Sequence, residues 1–161
     1  MMCARSGDLD PSIVTFLMKK EGLSSDEMDK MLNKESGAYG ISGVSPDIRD
    51  IEAEAEKGNK RAELALKAYD LNIAQYIVKH AVSMGGVDVI VFTAGVGENQ
   101  KNRRMGICNH LSFMGLELDA KKNEVRSEEA EISSQNSTIK AYVIPTNEEL
   151  VIARDTLNLV K

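Results

Sequence analysis

Four short clusters in this chain carry residue types that could do chemistry. The first, Arg5-Ser6-Gly7-Asp8-Leu9-Asp10, sets a guanidinium beside two carboxylates. An arginine's planar, permanently charged fork suits a carboxylate or a transferring phosphoryl group. The second, Ser45-Pro46-Asp47-Ile48-Arg49-Asp50, leads from a glycine-rich loop into a helical pattern and could grip a ribose or a base edge. The third, Gly95-Val96-Gly97-Glu98-Asn99, directly follows an apolar run over 87–92. Glycines let a nucleotide approach the backbone closely, and a helix start behind them offers free N–H groups to phosphates. The fourth, Thr146-Asn147-Glu148-Glu149, follows a second apolar run over 139–144. Carboxylates at a strand end can hold Mg2+ directly or through water, which suits phosphoryl transfer.

Each cluster also has a plainer reading. Asp10, Asp47 and Thr146 are good helix caps, the glutamates favour a helix's positive end, and Gly-x-Gly is an ordinary tight turn. Placement separates the third and fourth clusters from that reading. Polar corners that follow two strands of a parallel sheet emerge at the same edge, where α/β proteins bind ligands.

The elements that must position these clusters are readable from periodicity. Asp10-Pro11 opens a helix with Ile13, Phe16 and Leu17 at helical spacing, and Ser24 to Glu27 caps a second helix ahead of Met28. Three glycines and a proline over 36–46 predict a loop, and Asp47 precedes a charged helix over 48–57. A long helix is predicted over 59–84, with Leu64, Ala68, Leu71, Gln75, Val78 and Val82 as its apolar stripe. Gly85-Gly86 ends it and leads into the β-branched strand over 87–92, read as buried on both faces. A helix over 102–111, a short strand at 116–118, a polar surface excursion over 121–137 and a strand over 139–144 follow. The last helix is capped by Thr146 and carries Leu150, Ala153, Leu157 and Val160 on one side.

The 161 residues suffice for one domain, and a net charge of −5 argues against a nucleic-acid or anionic-membrane surface. Two distant cysteines, Cys3 and Cys108, and two histidines, His80 and His110, indicate neither a disulfide framework nor a metal cluster. His80 reads as a partly buried or capping residue and Cys108 as a small core residue. No apolar run approaches a membrane span and no leader opens the chain, so a reducing, cytoplasmic compartment is expected. Two long strands cannot by themselves cover helices of this length, and a polar cluster sits at the very start. Both point to a piece of a longer polypeptide with upstream strands.

In their order and spacing, the four clusters resemble the C-terminal part of the acetate kinase family. The matching stretches run from Arg5 to Pro11, Gly40 to Asp50, Phe92 to Asn99 and Ile144 to Leu150, and propionate kinases share them. The resemblance implies the acetate and sugar kinase/actin/Hsp70 superfamily. The fold class it implies is α/β, a partial ribonuclease-H-like (actin-like ATPase) domain of parallel strands flanked by helices, with the first strands missing. The reaction it implies is reversible phosphoryl transfer between ATP and acetate, giving acetyl phosphate and ADP with Mg2+. By the same resemblance Arg5 would stabilise the transferring phosphoryl group, and Asp47, Ile48 and Arg49 would line the adenosine site. Gly95, Val96, Gly97 and Asn99 would complete that site, and Glu148 would help place the metal. Cys3-Ala4 departs from the family's more frequent Gly-Thr. The family's acyl pocket, second catalytic arginine, and catalytic histidine and aspartate lie outside the matched stretches. Little or no turnover is therefore expected of this chain alone, and a homodimer is expected from the family's C-terminal pairing. The reading from another class is a non-catalytic nucleotide-binding or self-associating module.

Overall fold

Two compact units make up the chain in its computed structural model, which describes residues 1–160: Met1–Lys79 and the residues from His80 on. The first is helical, with α1 (Pro11–Glu21), α2 (Ser25–Lys34), α3 (Gly37–Ser42), α4 (Ile48–Glu56) and most of α5 (Lys60–Met84), within which the division falls. Local chemistry sets its helix starts. The Asp10 carboxylate accepts the Ser12 N–H, Ser24 and Glu27 cap each other reciprocally, and Asp47 accepts the Arg49 N–H. Each satisfies donors that a first helical turn leaves without partners. Its core gathers Met28, Ala38, Ile48, Ile51, Ala62, Ala65, Leu66 and Tyr69.

Several expectations for these helices are corrected. Half of the predicted loop over 36–46 is helical, because its glycines serve close approach rather than flexibility. A Cβ on Gly40 would sit 2.8 Å from the Glu35 carbonyl oxygen, and one on Gly37 2.2 Å from that of Met2. The stripe assigned to α5 is the wrong face. Leu64 is 58% exposed and Val82 and Leu71 are exposed too, whereas Ala62, Ala65, Leu66, Tyr69 and Ala74 are buried. Small residues let helices pack closely, and here they outrank the bulkier leucines as core. The partial burial expected of His80 is not found: this residue, where the second unit begins, is exposed. The Ile13 and Phe16 side of α1 is exposed as well.

The second unit holds β1 (Val89–Phe92), α6 (Ala94–Asn99), α7 (Lys101–Asn109), β2 (Ala130–Glu131), β3 (Lys140–Val143) and α8 (Glu148–Val160). Its sheet has the order β1-β3-β2, with β1 parallel to β3 and β2 antiparallel. The sheet is thus mixed. Register sets Ile90 beside Ala141 and Phe92 beside Val143, and this face is buried. Ile107, Cys108, Leu111, Leu116 and Ile132 complete the core of the unit. The other face is open: Val89 and Val91 are 48% and 47% exposed, so β1 is an edge strand covered on one side only, not on both. The 116–118 strand reduces to a single bridge between Leu118 and Ser133. The predicted surface excursion over 121–137 instead contributes β2 and the buried residues Asn123, Ile132, Ser133 and Ser137. Helix α8 forms as expected but exposes all of its residues, including Leu150, Leu157 and Val160. No helix among the described residues is long and apolar enough to cross a membrane.

Candidate functional site

The parallel pairing of β1 and β3 brings two of the four clusters to one sheet edge. The ladder's last bond runs from the Ile144 N–H to the Phe92 carbonyl at 3.0 Å, and both chains then turn into helices. On the β1 side, Thr93 is extended and Ala94 adopts φ +58°, left-handed backbone that costs a non-glycine residue about 1 kcal/mol. Strain of this kind is retained where the surroundings enforce it, often at ligand sites. The two glycines that follow lie inside α6 and differ in purpose. A Cβ on Gly95 would meet nothing within 4 Å, whereas one on Gly97 would press on the Phe92 backbone at 3.2 Å. Gly97 is required by the fold. Gly95 leaves open backbone where a ligand could lie.

Asn99 and Arg104 hold this corner rigid. The Asn99 side chain donates to the Gly95 carbonyl at 3.0 Å and accepts from the Ser127 hydroxyl at 2.8 Å and Arg126 Nε at 3.2 Å. Arg104 is fully buried and donates five hydrogen bonds of 2.7–2.9 Å, to the carbonyls of Gly97, Glu98, Asn123 and Val125 and to Asn123 Oδ1. Burial pulls its proton affinity down, and the converging carbonyl dipoles, two of them from the end of α6, favour its positive charge.

The link between the corners is Glu98, only 8% exposed. Its Oε1 accepts the Thr146 N–H at 2.9 Å and the Thr146 hydroxyl at 3.0 Å. These bonds, the Thr146 backbone N–H foremost, hold its carboxyl below the ordinary glutamate range. Thr146 is thereby occupied, and α8 is capped by Asn147 instead, whose Oδ1 accepts the Leu150 N–H at 3.0 Å. Glu148 and Glu149 stand exposed in the first turn of α8.

The other two clusters lie in the first unit. Arg5 sits on a segment tied down on both sides: Ser36 N–H donates to the Ala4 carbonyl at 3.0 Å and Ser6 N–H to the Leu32 carbonyl at 2.8 Å. Its exposed side chain lines a cavity of about 510 Å³ with Met2, Tyr69, Ile73 and Tyr76. Asp8, in the same cavity, accepts a hydrogen bond from the Tyr76 hydroxyl. Asp47 and Arg49 engage each other: Arg49 Nε lies 3.0 Å from both carboxylate oxygens and Nη2 lies 2.5 Å from Oδ2. The Arg49 side chain, with its backbone N–H, pulls the Asp47 carboxyl down to about 2. Ile48 between them is buried in the core of the unit.

Sequence reasoning missed Glu98 and Arg104. Arg104 carried one signal: positions 104, 107, 108 and 111 form a helical stripe whose other members are Ile, Cys and Leu. Glu98 carried another in Pro145, which ends the backbone ladder and leaves the Thr146 N–H to find a different acceptor.

Known proteins resemble this chain along its whole length. The Acetokinase family model matches residues 1–154. The acetate kinase of Treponema denticola is 55% identical over 161 residues, all of this chain and 41% of that protein. The crystal structure of Porphyromonas gingivalis acetate kinase, 48% identical, superposes with a TM-score of 0.91 over 100% of this chain and 41% of its own. A propionate kinase from Francisella tularensis, 39% identical, superposes with a TM-score of 0.86 over 94% of this chain and 38% of its own. The chain spans about two fifths of the length of the curated relatives it matches. Its small mixed sheet flanked by helices is the α/β architecture of the actin-like ATPase fold, to which these neighbours belong.

Proposed function

Since this chain belongs to the acetokinase family, we propose that it carries the nucleotide and metal side of an ATP:acetate phosphotransferase, which forms acetyl phosphate and ADP reversibly. The observation that carries the reading is the meeting of two strand-end corners at one sheet edge, one with open glycine backbone and the other with an exposed carboxylate pair. Phosphoryl transfer demands positioning and charge neutralisation more than covalent help from the protein.

Within the second unit, Gly95, Val96 and Asn99 contact the nucleotide and Gly97 lets α6 sit close against β1. The space over Gly95 is open to a ligand. Glu148 helps place Mg2+, which neutralises phosphate charge when bound. No group of three metal-ligating side chains exists among the described residues, so the fit is to an ion held by one or two carboxylates together with substrate phosphates and water. Within the first unit, Asp47 and Arg49 serve the adenosine, Ile48 anchors them, and Arg5 stabilises the transferring phosphoryl group. Arg5 is suited to this: it is held on tethered backbone, and its exposed side chain lines the cavity of the first unit.

The test is acetyl phosphate formation from ATP, Mg2+ and acetate, with this chain and the full-length Treponema denticola acetate kinase in parallel. Turnover by the full-length enzyme alone, with ADP binding by this chain, supports the reading. Comparable turnover by this chain would overturn it. A propionate-directed reaction is the second reading, favoured by the Francisella tularensis neighbour. Propionate in place of acetate in a protein completed by the remaining family sequence decides between them. Self-association is part of the proposal, since β1 leaves an apolar face open and α8 exposes its apolar residues. A homodimer in sedimentation analysis is the expected result.

A further inference from the structure

We propose that Glu98 is a positioning residue that couples the glycine corner to the start of α8, so that nucleotide at one corner and Mg2+ at the other strengthen each other's binding. The inference rests on the nucleotide and metal assignments above, and its support is geometric. Parallel strands are held in register by backbone bonds, but here the ladder stops at Ile144, because Pro145 has no N–H to donate. The next donor along that strand is the Thr146 N–H, and no strand residue accepts it. The Glu98 carboxylate does so from the opposite corner, taking the Thr146 hydroxyl as well. A side chain thus continues the cross-link where the main chain cannot.

Glu98 is itself held from behind. Its carbonyl accepts from Arg104 at 2.9 Å and from the Ser127 N–H at 3.3 Å, and the Gly97 carbonyl accepts from Arg104 at 2.9 Å. The span from buried Arg104 through Glu98 to Thr146 is therefore continuous, and Thr146 is two residues from Glu148. A carboxylate is acceptor-only when ionised, which matches the two Thr146 donors gathered on it. Being nearly buried and so engaged, Glu98 does not compete with Glu148 for a metal. Its effect on ligands passes through its own main chain in α6, which carries Gly95 and Gly97, and through the main chain that leads from Thr146 to Glu148.

Two measurements on this chain, with Glu98→Ala and Glu98→Gln, test the coupling. The first is hydrogen exchange at the Thr146 amide. Glu98→Ala should accelerate it by about tenfold or more, with amides of β3 unchanged. Glu98→Gln keeps one acceptor oxygen but turns an NH2 group toward one of the two Thr146 donors, so its acceleration should be smaller. The second is the ratio of ADP dissociation constants without and with Mg2+. Wild type should show a ratio within the roughly 5- to 150-fold range of coupled sites. Glu98→Ala should lower it by about threefold or more, the remainder coming from direct contact between Mg2+ and the nucleotide phosphates, with Glu98→Gln between them. A purely architectural role would weaken ADP binding equally with and without Mg2+ and leave the ratio at its wild-type value, and that outcome overturns the proposal. Unchanged exchange at Thr146 overturns it as well. A wild type that binds no ADP at millimolar concentration instead removes the nucleotide reading, and the coupling with it. If Glu98→Ala does not fold, Glu98→Gln decides the question by the same two readouts.

Discussion

Arg104→Met is the most demanding perturbation of the second unit. Methionine has nearly the length and apolar bulk of the arginine stem but none of its donors. Five hydrogen bonds are lost. The Glu98 carbonyl keeps the Ser127 N–H as a donor, whereas the carbonyls of Gly97, Asn123 and Val125 and the Asn123 Oδ1 lose the guanidinium. Each acceptor stripped in a buried setting costs about 1 kcal/mol or more, so the total is roughly 4 kcal/mol. Removal of the buried positive charge returns some desolvation cost, which keeps the figure near the lower end of the range for broken buried charge networks. A loss of that size is a large share of a small domain's stability of about 5–15 kcal/mol.

The assay is thermal melting by circular dichroism, with hydrogen exchange of segment 94–127 to assign the loss to this unit. At about 4–8 °C per kcal/mol for a domain of this size, Arg104→Met should melt at least 15 °C lower than wild type. Arg104→Lys should fall between, because an ammonium has three donors and cannot reach all five acceptors. A shift within about 2 °C for Arg104→Met would mean that water replaces the guanidinium without penalty, and the rigid-corner reasoning would be refuted.

Three further outcomes are expected. Gly95→Ala should raise stability by about 0.5–1 kcal/mol, since alanine is the better helix former and its methyl enters open space, yet should weaken ADP binding. Gly97→Ala should cost about 1–3 kcal/mol through contact with the Phe92 backbone, and equal melting temperatures for the two variants would sink the distinction. The Asp47 carboxyl should titrate near 2 by carbon-detected NMR and rise in Arg49→Met. Because its folded value lies below the unfolded one of about 3.9, the stability it contributes is present above pH 4 and lost as pH falls toward 2. The pair is solvent-screened, so the stability change should be small even where the titration shift is plain. Cys108, buried and with its thiol pushed by desolvation up to about 12, should resist iodoacetamide in the folded chain while half-buried Cys3 reacts. Equal labelling rates would contradict that burial.

What the sequence disclosed depended on whether the information was local. The caps at Asp10, Ser24 and Asp47 involve partners two or three residues away, and each was legible from residue type alone. The parallel pairing of β1 and β3 was legible from two apolar runs followed by polar corners. The face of α5 was not, because hydropathy ranks Leu64 above Ala62 while close packing ranks them the other way. Thr146 was misread as a cap for a related reason: its type suits a cap, but its actual partner is 48 residues distant.

Glu98 shows why the candidate site was only half legible. A carboxylate after Gly-x-Gly invites a ligand role, and the family motif that contains it draws attention to its neighbours Gly95, Val96 and Asn99. Only the three-dimensional pairing reveals that its oxygens are taken up by the protein itself. The physical cause lies one strand away, in a proline that ends a ladder. Where main-chain bonding stops short of a site, some side chain must carry the register onward, and a buried acceptor facing orphaned N–H groups is the residue type suited to it.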